Sequence, residues 1–376
     1  MERTVTPPRF DWQEKVESYG MGYHTIDGQI YWDETAYYTF TSSEIDELEA
    51  ATAELHEICI KAAEHVITHK LYDRLAIPPQ AVPLIERSWE NDEPSIYGRF
   101  DLAYDGHASP KMLEYNADTP TALLEASVIQ WFWLKERFPD ADQFNSIHEK
   151  LIAGWQELKA YLHEPLYFGC VKDAPEDFGN LEYLRDTAIQ AGLRTKSLFM
   201  EDMGYDSING QFVDTNDNVV ASIFKLYPWE WLLNEFFGRY LQQSRMLLIE
   251  PAWKMILSNK GILPILWELN PGHPNLLESS FDPDHFRDNF VSKPFLSREG
   301  GNIAIHRNGS VYEHEGTYGG KGSIVQELAA IPCFSGNYPV IGSWVIHGEA
   351  AGIGIREDVG AVTTNASRFV PHLFSA

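Results

Sequence analysis

The sequence predicts a mixed α/β or α+β protein built from closely packed subdomains, on three observations. Capped, helix-periodic stretches lead the chain, β-type runs recur throughout it, and no Pro/Ser-rich linker divides one part from another. With 376 residues the chain can bury a large core. Its 11 Trp, 18 Tyr and 20 Phe favour rigid packing over disorder.

Each element has a local reason. Residues 9–40 are aromatic and turn-rich, which predicts an irregular cap with short strands. Thr41, Ser42 and Ser43 precede Glu44, Asp46 and Glu47, the capping and first-turn acids of a helix whose apolar spacing runs to about residue 70. A two-stranded ribbon follows at about 97–118, turning at Asp105-Gly106. Thr119, Pro120 and Thr121 lead into a helix from Ala122, and a further helix covers about 143–163. Leu166 opens an α/β section, with a helix near 177–191, a strand near 194–200 and a hairpin near 205–215. Ala221 to Tyr227 reads as a buried strand ending at Pro228. Helices are predicted near 229–241 and 251–259, with Lys260 closing the second. Gly300 to His314 forms a hairpin turning at Asn308-Gly309, and the last third is rich in strands and glycine.

The ribbon carries the strongest chemical signal. By strand alternation Phe100, Leu102, Tyr104, Leu113 and Tyr115 share one face, and Arg99, Asp101, Glu114, Asn116 and Asp118 the other. A solvated amphipathic hairpin is the commoner cause of such a pattern. Asp and Asn are nonetheless depleted in strands, and three crowded carboxylates repel one another unless a cation sits among them. The polar face suits a hard divalent cation such as Mg2+, which takes carboxylate and amide oxygens and leaves positions open for phosphate.

Net charge is −26, from 55 acidic and 29 basic residues, which argues against nucleic acid or an anionic membrane as a general partner. It is compatible with a cationic substrate such as a polyamine, and equally with plain solubility. Cys59, Cys170 and Cys333 are odd in number and widely spaced, as in a reducing compartment without disulfides or structural zinc. The N-terminus lacks the apolar run of a signal peptide, and no apolar run reaches bilayer-spanning length, so a cytoplasmic location is expected.

A second constellation is cationic. Lys260 precedes the apolar run Gly-Ile-Leu-Pro-Ile-Leu-Trp. Lys293 lies in a strand five residues before Arg298, just upstream of Gly300-Gly301. A strand lysine, an arginine and a glycine pair opening a hairpin are the parts of a phosphate-covering loop, although most Gly-Gly pairs are only turns. P-loop and Rossmann signatures are absent.

In these stretches the chain resembles the synthetase domain of the glutathionylspermidine synthase family, ATP-grasp acid–amine ligases. The resemblance rests on Arg99-Phe-Asp101, Glu114-Tyr-Asn-Ala-Asp118, Ile249-Glu-Pro-Ala-Trp253, Asn259 to Trp267, Lys293-Pro, Arg298-Glu-Gly-Gly-Asn302 and Gly352-Ile-Gly-Ile-Arg356, in order over most of the chain. It implies an ATP-grasp-like fold over residues 1–376 as one ligase region. The amidase domain of bifunctional members is not expected. Asp101, Glu114 and Asn116 would hold Mg2+, and Arg99 would stabilise the transferring phosphoryl group. Lys260 and Lys293 would contact ATP, with Arg298, Gly300 and Gly301 in the covering loop. Gln326, Glu327, Leu328 and Ala329 would line the adenine pocket, and Arg356 would sit near the phosphates or the acyl phosphate. Glu176 and Asp177 would contact substrate, as would Thr119, which stands where a Ser is usual.

The expected reaction is therefore attack of a small-molecule or peptide carboxylate on the γ-phosphate of ATP, then displacement of phosphate by an amine such as a polyamine. The Arg298–Asn302 loop is the expected lid. A metal-dependent phosphoester or glycan hydrolase would also use the carboxylates but gives no reason for Lys293, Arg298 and the glycines. A non-catalytic ATP-binding protein would bind nucleotide without releasing ADP.

Overall fold

The computed structural model describes residues 1–298, 300–316, 320, 322–360, 362–364 and 367–375. Helices and sheets are interleaved along the chain, as the mixed class requires. The ribbon is one edge of a five-stranded antiparallel sheet, ordered Arg368–Val370, Glu349–Asp358, Tyr338–Ile346, Tyr97–Ala103 and Lys111–Asn116.

One face of this sheet packs under the helix Ser42–His69. That helix starts where the sequence places its cap. The Thr41 hydroxyl accepts from the Glu44 N–H while the Glu44 carboxylate accepts from the Thr41 N–H. Leu48, Thr52, Leu55, Cys59, Ala62 and Val66 recur every three or four residues along its buried face. Thr52, the polar member, bonds the Ser343 hydroxyl at 2.6 Å. Phe100, Leu102, Ile341 and Ile353 fill the same core. On the other face, Trp344 and Ile346 join a second core with Trp155, Phe168 and Phe224.

Two further sheets flank this one. A parallel sheet is ordered Leu247–Ile249, Ser222–Leu226, Leu166–Cys170 and Thr195–Phe199; its two central strands are buried throughout, whereas the edge strand Thr195–Phe199 exposes Lys196 and Ser197. An antiparallel sheet is ordered Ser279–Ser280, Ser323–Glu327, Phe290–Pro294, Ala304–Arg307 and Ser310–Glu313. Among the described residues no helix is long and apolar enough to cross a membrane.

Several expectations need correction. The ribbon is bulged: Asp101 pairs with Glu114, but Leu102 pairs with Met112, leaving Leu113 as an extra residue. Met112, not Leu113, therefore joins the core. The ladder ends at Asn116, so Asp118 is not on the ribbon face. It accepts instead from the buried Lys225 ammonium at 2.6 Å and the Trp229 N–H at 3.0 Å. Residues 9–40 contain a helix, Trp12–Ser18. The helix expected at 229–241 stops at Leu232 and is followed only by the short turn Gly238–Tyr240. There the chain folds back so closely that a Cβ on Gly238 would lie 2.5 Å from the Leu232 carbonyl. The helix expected from 143 starts at Ile147. The apolar run after Lys260 is itself a helix, Ile262–Leu269, with Pro264 in its tolerated first turn.

Candidate active site

The face of the central sheet carrying Arg99 and Asp101 is polar because register brings its charges together. Arg99 stands opposite Asn116 and Asp101 opposite Glu114. Arg356 reaches Asp101 from two strands away, Nη2 to Oδ2 at 2.8 Å. Arg99 Nε lies 2.7 Å from Asp101 Oδ1, and its Nη1 donates to the Thr121 carbonyl at 2.6 Å. Gly342, in register with Asp101 on the intervening strand, makes this possible, since a Cβ there would sit 2.8 Å from Arg99 Cδ.

Glu114 anchors the other half. Lys260 Nζ lies 2.9 Å from its Oε2, and the Asn116 amide donates to its Oε1 at 3.1 Å. Lys260 also donates to the Ser297 carbonyl at 3.0 Å. Burial works to raise Glu114, but Lys260 and Lys293 outweigh it and hold the carboxyl down to about 2. Burial also lowers Lys293, to about 8, against the pull of Glu114. The Lys293 ammonium donates to the Leu113 carbonyl at 2.9 Å and to Gln326 Oε1 at 2.7 Å.

Two cavities meet at this surface. One, of about 480 Å3, is lined by Lys260, Lys293, Val291, Ile305 and the segment Gln326, Glu327, Leu328 and Ala329. The other, of about 540 Å3, is lined by Arg99, Arg356, Asn116, Thr119, Glu176 and Asp177. Glu114, Gly300 and Thr363 border both. Arg298, expected with the phosphate loop, lines the second cavity. Its Nη2 is 3.6 Å from Glu230, and its guanidinium lies over Trp231. Gly301 is buried behind Gly300, packed where a Cβ on Gly316 would meet its Cα at 2.6 Å. Glu299, in the expected lid, lies outside the described residues.

The donor set fits a hard cation. Among the described residues no three His, Cys, Asp or Glu side chains form a metal cluster. Asp101 and Glu114, paired across the ladder beside the Asn116 amide, bring oxygen donors of the kind a hard cation takes to one face, each held by Arg99, Arg356 or Lys260. Sequence reasoning passed over Gly342, Glu230 and the aromatic wall of the second cavity, Tyr23 and Tyr31. Its only trace of that wall was the aromatic richness of residues 9–40, which reads as packing.

The family described as glutathionylspermidine synthase preATP-grasp matches residues 3–375. The "Putative acid--amine ligase" of Haemophilus influenzae is 43% identical, covering 99% of this chain and 98% of its own. Trypanothione synthetase of Crithidia fasciculata is 29% identical over 84% of this chain. The bifunctional glutathionylspermidine synthetase/amidase of Escherichia coli is 26% identical over 96%. The chain spans only 53% and 63% of the length of those two relatives. A glutathione synthetase-like effector from Globodera pallida shares the fold with a TM-score of 0.61, 9% identity and coverage of 97% of this chain and 96% of its own.

Proposed function

The chain belongs to the glutathionylspermidine synthase family, and from that premise we propose that it is an ATP- and Mg2+-dependent acid–amine ligase that forms an amide through an acyl phosphate. The observation that carries the reading is the junction of two cavities at one set of carboxylates and arginines. A ligase of this kind must hold a nucleotide on one side of a phosphoryl group and two further substrates on the other.

The apolar walls Val291, Ile305 and Leu328 suit a purine, and Lys260 and Lys293 stand where its phosphates would lie. Asp101, Glu114 and Asn116 would hold Mg2+, which when bound neutralises charge on the phosphates. Arg99 and Arg356 offer fixed cations to the oxygens of the transferring phosphoryl group and to the acyl phosphate. The second cavity has Arg99, Arg298 and Arg356 in its lining, cations that suit the acid substrate. Glu176, Asp177 and Asp27 belong to the same lining and suit an ammonium. Acyl phosphates hydrolyse, so exclusion of water matters, and the loop containing Arg298 and Gly300 is the candidate closure. Two of the three cysteines are buried, and a reducing cytoplasm is where we expect the reaction.

The test is ADP release with Mg2+-ATP and a panel of peptides and amines, glutathione with polyamines first. Release that requires an acid and an amine together supports the reading. No release with any pair, despite ATP binding, refutes it.

A further inference from the structure

Behind the second cavity lies a carboxylic acid that this mechanism has not used. Glu125 is fully buried in the helical stretch after Ala122, among Leu123, Leu124 and Ala126. Its Oε1 accepts from the Tyr31 hydroxyl at 2.9 Å, and among the described residues its Oε2 finds no hydrogen-bond partner. A buried oxygen left so is destabilising, a loss that an apolar side chain at this position would avoid. Stability therefore gives no reason for a glutamate here. Tyr31 also lines the second cavity, as does Tyr23, so the phenols separate the carboxyl from the substrate space. The arrangement is braced: Asn180 donates to Tyr23 Oη at 3.2 Å and accepts from the Leu123 N–H at 2.7 Å.

We propose that Glu125 is the proton acceptor for the attacking amine, working through the Tyr31 hydroxyl. The inference rests on the ligase reading. An amine bound as an ammonium has no lone pair and must lose a proton before it can attack. Tyr31 Oη takes that proton as the phenol's own proton passes to Glu125 Oε1, so the tyrosine is unchanged and the carboxylate becomes a carboxylic acid. The neutral nitrogen then bonds to the acyl carbon as the bond from that carbon to the phosphate oxygen breaks. The second nitrogen proton leaves with the phosphate. Glu125 is thus a positioning and relay group, and Tyr31 the group that touches substrate.

The surroundings suit the task. Burial, with the charge of Glu176 added, pushes Glu125 up to about 7, against hydrogen bonding from Tyr31 and Tyr23. The charged and titratable groups facing this cluster are Tyr23 and Tyr31 from the N-terminal segment, Glu176 and Asp177 from the helix Pro175–Gln190, and Arg99 from the central sheet. An acceptor near neutrality takes and returns a proton at working pH.

Hydroxylamine separates this role from a structural one, because its nitrogen is already neutral at pH 7. With Mg2+-ATP and glutathione, Glu125→Gln and Tyr31→Phe are expected to slow spermidine-dependent ADP release about 100-fold and to remove the acidic limb of its pH profile, while hydroxylamine-dependent release stays within about twofold of the parent. Equal slowing with both nucleophiles would overturn the assignment, as would unchanged rates with spermidine. Infrared difference titration of the protein alone provides a check independent of substrate. A carboxyl band that titrates near 7 and vanishes in Glu125→Gln is expected, and its absence overturns the proposal. Circular dichroism verifies folding, and Tyr31→Phe keeps the test open if Glu125→Gln does not fold. A parent protein that releases no ADP with any nucleophile sinks the ligase reading, and this assignment with it, even where the band titrates near 7.

Discussion

Replacing Asp118 with Asn leaves the Lys225 ammonium buried without its counter-ion. Both side chains are almost wholly shielded, and the pair ties the end of the ribbon to the parallel sheet. Breaking a buried pair by removing one member costs about 3–5 kcal/mol. A ceiling follows from the lysine's alternative, which is to lose its proton. Neutralising a group of ordinary value 10.5 at pH 7 costs about 5 kcal/mol, at about 1.4 per pH unit. Glu250 and Glu230 also favour the ammonium, so some field survives and the loss should fall below that ceiling. The ceiling itself drops to about 2 kcal/mol at pH 9. The sign is fixed by linkage. Burial lowers Lys225 even with Asp118 present, so folding releases a proton in the window below 10.5 and stability rises with pH there. Without Asp118 that window extends further down, and the variant gains more than the parent between pH 7 and 9. The assay is urea unfolding followed by tryptophan fluorescence, since Trp229 donates to Asp118 and its ring lies 4.7 Å from the Lys225 ammonium. A loss under about 1 kcal/mol at pH 7, or one of equal size at pH 9, refutes the reasoning. Replacing the pair together, Asp118→Leu with Lys225→Met, should recover most of the loss.

Other outcomes follow from the site. Asp101→Asn and Glu114→Gln should each lower ADP release at least about 100-fold while far-ultraviolet circular dichroism stays unchanged, and a variant with parental rates removes that residue from the reaction. Chelation with EDTA should abolish release and added Mg2+ restore it, with the unfolding midpoint unaffected. Persistent turnover in EDTA would falsify the metal assignment. Gly342→Ala drives a methyl against Arg99 Cδ, which is pinned by Asp101 and the Thr121 carbonyl. A loss of about 1–3 kcal/mol and slowed ADP release are expected from denaturant titration and kinetics. Glu125 titrates above its ordinary 4.5, so its contribution to stability is full below 4.5 and lost as pH rises through about 7. Unfolding free energy should fall by about 3 kcal/mol across that window relative to Glu125→Gln, and a parent and variant with parallel pH dependence contradict it.

How much of this was legible in the sequence depended on whether the signal was local. The Thr41–Glu44 cap and the Asn308-Gly309 turn are written in adjacent residues, and both stand where they were expected. That Asp101 and Glu114 share a face was readable from strand alternation, whereas their pairing was not, since a turn confined to Asp105-Gly106 would set Asp101 opposite Pro110. Arg356 reaches Asp101 only through a sheet that crosses more than 250 positions, and periodicity says nothing about that; the resemblance to a family implied a place near the phosphates but not this contact. Strand alternation misjudged Leu113 and Asp118 because it has no way to register a bulge or a ladder's end. Glu125 hid in an apolar helix, where one acid reads as an exposed edge. Its burial depends on Tyr31, 94 positions away.

The bulge at Leu113 has a consequence for how such sheets can change. Deleting Leu113 would leave Asp101 opposite Glu114 and Leu102 opposite Met112, so both faces would still sort correctly. The extra residue is thus unnecessary to the ladder, and that frees it. Its carbonyl receives the Lys293 ammonium and its side chain forms part of the 480 Å3 cavity. A protein engineer seeking to reshape this cavity has here a position decoupled from the scaffold, where side-chain identity can vary while the alternation on either side holds the carboxylates in place.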